Sequence, residues 1–298
     1  MTATAGSSLR WPNLFIVGAA KAGTTSLHTY LGQHPQIYMS EVKEPRFFSR
    51  TERNGSGLDE TSSLDLFRGA SGETIRGESS PYLRHASVPP RIKEVAPDAK
   101  IIILLRDPVQ RAYSHYLMDV QQRTQTRSFA EAIRRELERP YHQYVEAGRY
   151  CHHVAPYLDL FGENVLVIFF EELFADVRTG LKEVFRFLGV DEGFADQVDV
   201  SPQNSYRGPL NALGQTAYRA YRGELVRAWG RRLVPRSARA YVKDSILRKQ
   251  KPQIDPETEK LLRDVYRDEP ECLSRMLGRR VPWYTDVSVT EIIRGGVS

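Results

Sequence analysis

The sequence predicts an α/β fold in a single domain, with a central parallel sheet flanked by helices. Two patterns carry that expectation. Short, continuous apolar runs alternate with amphipathic helical stretches, as strands covered on both faces require. The first of these runs leads through glycines directly into a helix. With 298 residues the chain is long enough to bury a substantial core.

In chain order, residues 14–17 form the first expected strand. Leu27, Tyr30 and Leu31 fall at i, i+3 and i+4 of a helix starting near Thr24, which His34-Pro35 stops. Further strands are expected at 37–39, 74–78 and 100–105. Pro108 suits the first position of a helix running to about Gln121. Ser128, with Glu131 three residues on, signals a capped helix to Leu137. Residues 150–161 predict a helix, 165–170 the most apolar strand, and 173–188 a helix ended by Gly189. A final helix is expected over about 256–277. The domain should span 12–284, with flexible ends at 1–11 and 285–298.

Hydrophobic residues make up 41% and charged residues 27%, the balance of a soluble globular chain. Residues 1–13 are small and polar, without the apolar stretch of a secretory leader. The longest apolar run, 165–170, is far too short to span a membrane. Cys151 and Cys272 have no metal-ligand spacing and suggest no disulfide framework, so a reducing cytoplasm is the expected setting. The net charge of +5 is uneven. Residues 218–251 carry eleven Lys or Arg against Glu224 and Asp244, a local +9 that leaves −4 elsewhere. Such a stretch suits an anionic partner or a solvated helix face. Tyr218, Tyr221, Leu225 and Trp229 give it an apolar stripe for core packing or for peripheral membrane contact. No nucleic-acid motif accompanies the charge, and nucleic acid is not an expected partner.

Between the first strand and its helix stands Gly18-Ala19-Ala20-Lys21-Ala22-Gly23-Thr24-Thr25-Ser26. The backbone N–H groups of such a turn and of the helix start converge on one point and favour an anion. Lys21 adds charge, while Thr24, Thr25 and Ser26 add hydroxyl donors, and Gly23 lets the backbone approach closely. The pattern G-x-x-x-x-G-K-[ST] of P-loop nucleotide binders is the nearest comparison. Here Thr24 takes the lysine's place and the lysine stands three positions earlier. A P-loop nucleotide-binding type of sheet is therefore expected. A second anion site is suggested by Arg106, at the carboxyl end of the fourth strand, with Ser114 two turns into the next helix. Arg106 paired with the adjacent Asp107 is the alternative.

These two elements resemble the PAPS-dependent sulfotransferases, where PAPS is 3′-phosphoadenosine 5′-phosphosulfate. The sequence K-x-G-T-[TS] at 21–25 is similar to their 5′-phosphosulfate loop, and R-[DN]-P-x-x-R-A-Y-S-x-Y at 106–116 to their 3′-phosphate element. The resemblance implies that Lys21 contacts the phosphosulfate and stabilises the bridging oxygen as the bond breaks. Ala22, Gly23, Thr24, Thr25 and Ser26 would complete the loop, and Arg106 and Ser114 would hold the 3′-phosphate. The likeness continues through Gly77-Glu78-Ser79-Ser80-Pro81 and 146–150 to the Phe187-Leu188-Gly189 helix end.

Transfer to an alcohol needs a base for the hydroxyl proton and stabilisation of charge on the departing phosphate. The segment Lys43-Glu44-Pro45-Arg46-Phe47-Phe48 resembles the base-bearing element of the carbohydrate (heparan-type) and bacterial sulfotransferases, which implies Glu44 as base. Burial beside Pro45 and two aromatics would raise its pKa; Lys43 and Arg46 would lower it. Glu78, His85 and His115 are the alternatives. Relatives often carry His where Arg46 stands, and heparan-type enzymes carry Lys where Ser79 stands, a departure that weighs against a heparan-like acceptor. Arg248 and Lys249 loosely resemble the basic loop over the 3′-phosphate, without its glycine.

The resemblance thus implies sulfuryl transfer from PAPS to a hydroxylated small-molecule, glycan or lipid acceptor, releasing adenosine 3′,5′-bisphosphate, with no metal requirement. A P-loop kinase or NTPase is the rival reading. It needs ligands for Mg²⁺, and the fourth strand ends in Arg106 where such an enzyme wants an acid.

Overall fold

Five strands form one parallel sheet: β1 (Leu14–Gly18), β2 (Ile37–Met39), β3 (Ile75–Ser79), β4 (Lys100–Leu105) and β5 (Val165–Phe169). Their spatial order is β2-β3-β1-β4-β5. The computed structural model describes residues 11–49, 57–139, 143–201, 208–209, 247–248 and 252–283. Residues 101–105 of β4 and all of β1 are buried, because both faces of a parallel sheet are covered by crossover helices. β1 lies between β3 and β4, with Phe15 opposite Glu78 on one side and Ile101 on the other. The chain order reverses at β1, so the turn leaving it opens into the crevice where such sheets bind ligands.

Ten helices are described: α1 (Thr24–Leu31), α2 (Glu60–Asp65), α3 (Val88–Val95), α4 (Pro108–Gln122), α5 (Phe129–Glu138), α6 (Tyr150–Phe161), α7 (Phe170–Ala175), α8 (Val177–Leu188), α9 (Pro256–Val265) and α10 (Glu269–Leu277). Ser128 and Glu131 make the expected reciprocal cap on α5. Two expected long helices are broken. Asp176 interrupts the first, its carboxylate accepting from the Thr179 amide to start α8 afresh. The second breaks at 266–268, where Pro270 enters the first turn of α10 and cannot continue α9. The short helices α2 and α3 carried too little periodicity to be expected. Trp11 packs on Phe47 and Phe48 at ring distances of 5.0 and 5.6 Å.

Cys151 on α6 and Cys272 on α10 form a disulfide, with Cα atoms 6.3 Å apart. This corrects the expectation that the two cysteines make no disulfide framework. The partners are 121 residues apart in sequence, and only the packing of α6 on α10 brings them together. The bond removes the cysteine argument for a reducing compartment. Among the described residues no helix is long and apolar enough to cross a membrane. The basic stretch 218–251 with Lys249 lies outside the described residues, apart from a two-residue antiparallel pairing of Leu247–Arg248 with Gly208–Pro209, and so do the expected end segments 1–11, save Trp11, and 285–298.

A second apolar cluster joins α4, α5 and α9 through Tyr113, Leu117, Phe129, Ile133, Leu262 and Tyr266. Inside it the buried Glu136 carboxylate accepts the amides of Gln143, Tyr144 and Val145 at 3.0, 2.8 and 3.0 Å. The loop so held feeds α6, whose Tyr150 hydroxyl donates to the Arg106 carbonyl at 2.8 Å. Glu136→Ala would strand those donors in the interior. It should cost about 3 kcal/mol or more of unfolding free energy, read as a lower denaturant midpoint; an unchanged midpoint would contradict this role.

Candidate active site

The turn after β1 is shaped by backbone that few residues tolerate. Gly23 has φ 93°, and a Cβ there would lie 2.6 Å from the Phe174 ring. Lys21 itself has φ 72°, a left-handed conformation that costs a side-chain-bearing residue energy. No side chain caps α1, and its first internal amide bond is Leu27 to the Gly23 carbonyl at 3.2 Å. The amides of Thr24, Thr25 and Ser26 therefore have no carbonyl within the helix to reach, and they carry its positive dipole end. Ala22 is fully buried beneath the turn. Ser26 is 7% exposed and its hydroxyl bonds to Tyr30, which leaves the backbone as its donor to a ligand.

Arg106 leaves the end of β4 and donates to the Lys21 carbonyl at 3.3 Å. Its guanidinium lies 4.3 Å from the centre of the Phe170 ring. Asp107 turns its carboxylate to the Gln110 amide, 2.9 Å away, where it caps α4. Lys21 Nζ ends 3.4 Å from Met118 Sδ on α4. Ser114, half-buried, stands one turn earlier on that helix and so shares the face Lys21 reaches. The two anion elements of the sequence therefore meet.

Their electrostatics are those of a site awaiting negative charge. Burial lowers the Lys21 pKa, and Arg106 lowers it further. Burial also lowers that of Arg106, against the opposing influence of Glu171. The buried Arg106 Nε has no hydrogen-bond partner among the described residues. Two partly desolvated cations, an unpartnered guanidinium nitrogen and a helix start fit a doubly phosphorylated ligand by the chemistry of their donors. Among the described residues no group of three or more His, Cys, Asp or Glu gathers.

Glu44 stands on the loop after β2, its amide bonded to the Ser79 carbonyl at 2.9 Å. Its carboxylate meets Lys43 Nζ at 3.0 Å and also accepts from the Arg46 guanidinium. Burial pushes its pKa up, but the Arg46 hydrogen bond and Lys43 outweigh that and hold it below the ordinary carboxylate value. The competition left open by the sequence is thus decided in favour of the anion. Glu44 is also near enough to Lys21 to favour that lysine's charge.

The alternative bases are placed differently. Glu78 is 3% exposed, and burial pushes its pKa up to about 8 despite hydrogen bonds from Tyr82 and Ser80. His115 is pushed down to about 3 by burial and by Arg111, with Nδ1 3.1 Å from the Gln143 carbonyl. Burial lowers His85 too, followed by Arg84 and Arg46. The side chain of Arg248 and all of Lys249 lie outside the described residues.

Sequence reasoning missed Phe170, Glu171 and Trp283. One Glu171 oxygen accepts the Asp107 amide at 3.0 Å and the other accepts Trp283 Nε1 at 2.9 Å. Glu171 thereby ties the far end of the chain to the strand end that bears Arg106. Its position just past β5, beside β4, was the available signal.

The fold is similar to that of a sulfotransferase from Alicyclobacillus acidocaldarius, with a TM-score of 0.70 and 30% identity over 91% of this chain and 98% of the other. A mouse sulfotransferase complexed with PAP shares the fold at a TM-score of 0.50 and 18% identity, covering 89% and 87% of the two chains. Mouse heparan sulfate glucosamine 3-O-sulfotransferase 3B1 is 30% identical over 64% of this chain and 49% of its own length. The membrane-associated sulfotransferase kil1 of Dictyostelium discoideum is 34% identical over 39% and 25%. The chain thus spans half or less of the length of these two curated relatives. The sulfotransferase domain profile matches residues 12–269, and with the Lys21 and Arg106 elements joined at one crevice, the chain belongs to the sulfotransferase domain family.

Proposed function

We propose that the protein transfers the sulfuryl group of PAPS to a hydroxyl of a small-molecule, glycan or lipid acceptor and releases adenosine 3′,5′-bisphosphate. The observation that carries this reading is the meeting of Lys21 and Arg106, two cations each depressed by burial and held within one hydrogen bond of each other's residues. Such a pair is stabilised by two phosphate groups, one at each end of the nucleotide. Lys21 with the 24–26 amides takes the 5′ end; Arg106 with Ser114 takes the 3′-phosphate.

In the transfer, the acceptor oxygen forms a bond to sulfur as the bond from sulfur to the 5′-phosphate oxygen breaks. The acceptor proton goes to the Glu44 carboxylate, and the negative charge left on the 5′-phosphate is met by Lys21. Glu44 is ionised beforehand by Arg46 and Lys43. An acceptor that draws Arg46 away would restore its basicity at the moment it is needed.

Calorimetry with adenosine 3′,5′-bisphosphate should show binding, and a transfer assay with radiolabelled PAPS over sugar, lipid and small-molecule alcohols should show product that persists in EDTA. No binding of the bisphosphate ends this reading. Loss of turnover in EDTA would favour the kinase or NTPase alternative.

A further inference from the structure

We propose that Glu78 is a positioning residue for the transfer reaction, the hub from which the Ser80 and Tyr82 hydroxyls hold the loop that carries Glu44. The inference rests on the reading of Glu44 as base. That loop needs an external hold, because Glu44 and Arg46 both take left-handed backbone, with φ of 62° and 59°. Two hydroxyls at the end of β3 supply it. Ser80 Oγ accepts the Arg46 amide at 3.2 Å and lies 3.5 Å from Glu78 Oε2. The Tyr82 hydroxyl accepts the Phe48 amide at 3.4 Å, and it also bonds to Glu78. A hydroxyl has one proton to give. With the Phe48 amide on its acceptor side, the Tyr82 hydroxyl turns its proton toward the carboxyl, and Ser80 shares its own between the carboxyl and Tyr82. One buried group therefore orients both contacts.

Glu78 is buried, 3% exposed, whereas the Glu44 side chain is 35% exposed, which separates its role from that of the base. Trp11, Phe48 and Ser63 line the small cavity at its carboxyl, and Tyr157 approaches from α6; with Ser80 and Tyr82, these neighbours carry no charge at neutral pH. Its other oxygen, Oε1, has no partner among the described residues. A carboxylate left without a cation in such surroundings is expensive, so the group is held as the neutral acid. The folded chain keeps a proton that the unfolded chain releases above the ordinary glutamate range. Stability from this group therefore falls as pH rises from about 4.3 to about 8. Above that, the newly charged carboxylate should loosen the loop and lower kcat/KM.

Glu78→Gln keeps a neutral acceptor of the same shape. It should lower kcat/KM at pH 7 a few-fold, leave bisphosphate affinity within about two-fold, and remove the part of the alkaline fall centred near pH 8, leaving the later fall that deprotonation of Lys21 gives. Glu78→Ala should cost about 10²-fold in kcat, the scale of a small misplacement of a catalytic group. Infrared spectra of the wild type at pH 7 should contain a buried protonated-carboxyl band that Glu78→Gln lacks, a readout independent of turnover and of protein yield from the Ala variant. Loss of turnover beyond 10³-fold in Glu78→Gln, with bisphosphate binding and melting intact, would make Glu78 the base and overturn the proposal. So would an unchanged alkaline limb in that variant, or absence of the infrared band. If the wild type binds no bisphosphate while the band is present, the proposed function fails and the protonation of Glu78 stands.

Discussion

Glu44→Gln should lower kcat by about 10²–10⁴-fold, the range for loss of a positioned general base, while bisphosphate affinity stays within about two-fold. The variant is isosteric, and the amide of residue 44 still reaches the Ser79 carbonyl, so the loop is preserved. What disappears is the proton acceptor. The separation of effects matters, because Glu44 favours the charge of Lys21 and a general disruption would weaken nucleotide binding as well. The pH profile gives a second check. Arg46 and Lys43 hold the carboxyl below its ordinary value, so the acid limb of kcat/KM, which reports the free enzyme, should lie below about pH 4.3. Arg46→Ala should move that limb upward. Near-normal kcat in Glu44→Gln would remove Glu44 from the chemistry.

Lys21→Met should cost about 10²–10³-fold in kcat, the loss seen when a preorganised donor to a developing anion is removed. Bisphosphate binding should weaken too, since in the proposed function the same ammonium meets the 5′-phosphate in the ground state. The ligand-free protein should respond in the opposite sense. The folded pKa of Lys21 lies below its unfolded value, so the lysine costs stability at neutral pH and recovers it only as pH rises toward 10.5. Its removal also ends the repulsion between the Lys21 ammonium and Arg106, while the bond from Arg106 to the residue 21 carbonyl is kept. The unliganded variant should therefore melt higher than the wild type, while saturating bisphosphate should raise its melting temperature less. A variant that melts lower and keeps its kcat would contradict both the site and its electrostatics. A site that destabilises the empty protein is a common cost of function.

Much of this arrangement is written along the chain, because its signals are local. The apolar runs of β1, β4 and β5 needed only their neighbours in sequence to be identified. Lys21 and Gly23 form one turn whose geometry follows from the strand before it and the helix after it. Arg106 occupies a strand end by counting alone. The cap at Ser128 likewise spans three residues. The breaks at Asp176 and before Pro270 were present as residues, but apolar periodicity on both sides outweighed them.

The order β2-β3-β1-β4-β5 was not local information, and it decides that the Lys21 turn faces Arg106 across one crevice. Protonation was equally out of reach. Lys43 and Arg46 flank Glu44 in sequence, but only the fold decides that their ion pairs outweigh its burial, while burial without a cation keeps Glu78 neutral. The Cys151–Cys272 bond and the Asp107–Glu171–Trp283 link join positions 121 and more than 60 residues apart. Sequence alone therefore determined the family, the strand-to-helix turn and the cationic groups, each a matter of nearest neighbours. Charge state, cross-chain ties and the meeting of the two anion elements were decided by the tertiary structure, because they depend on solvent exclusion and on distances between segments that the linear order does not encode.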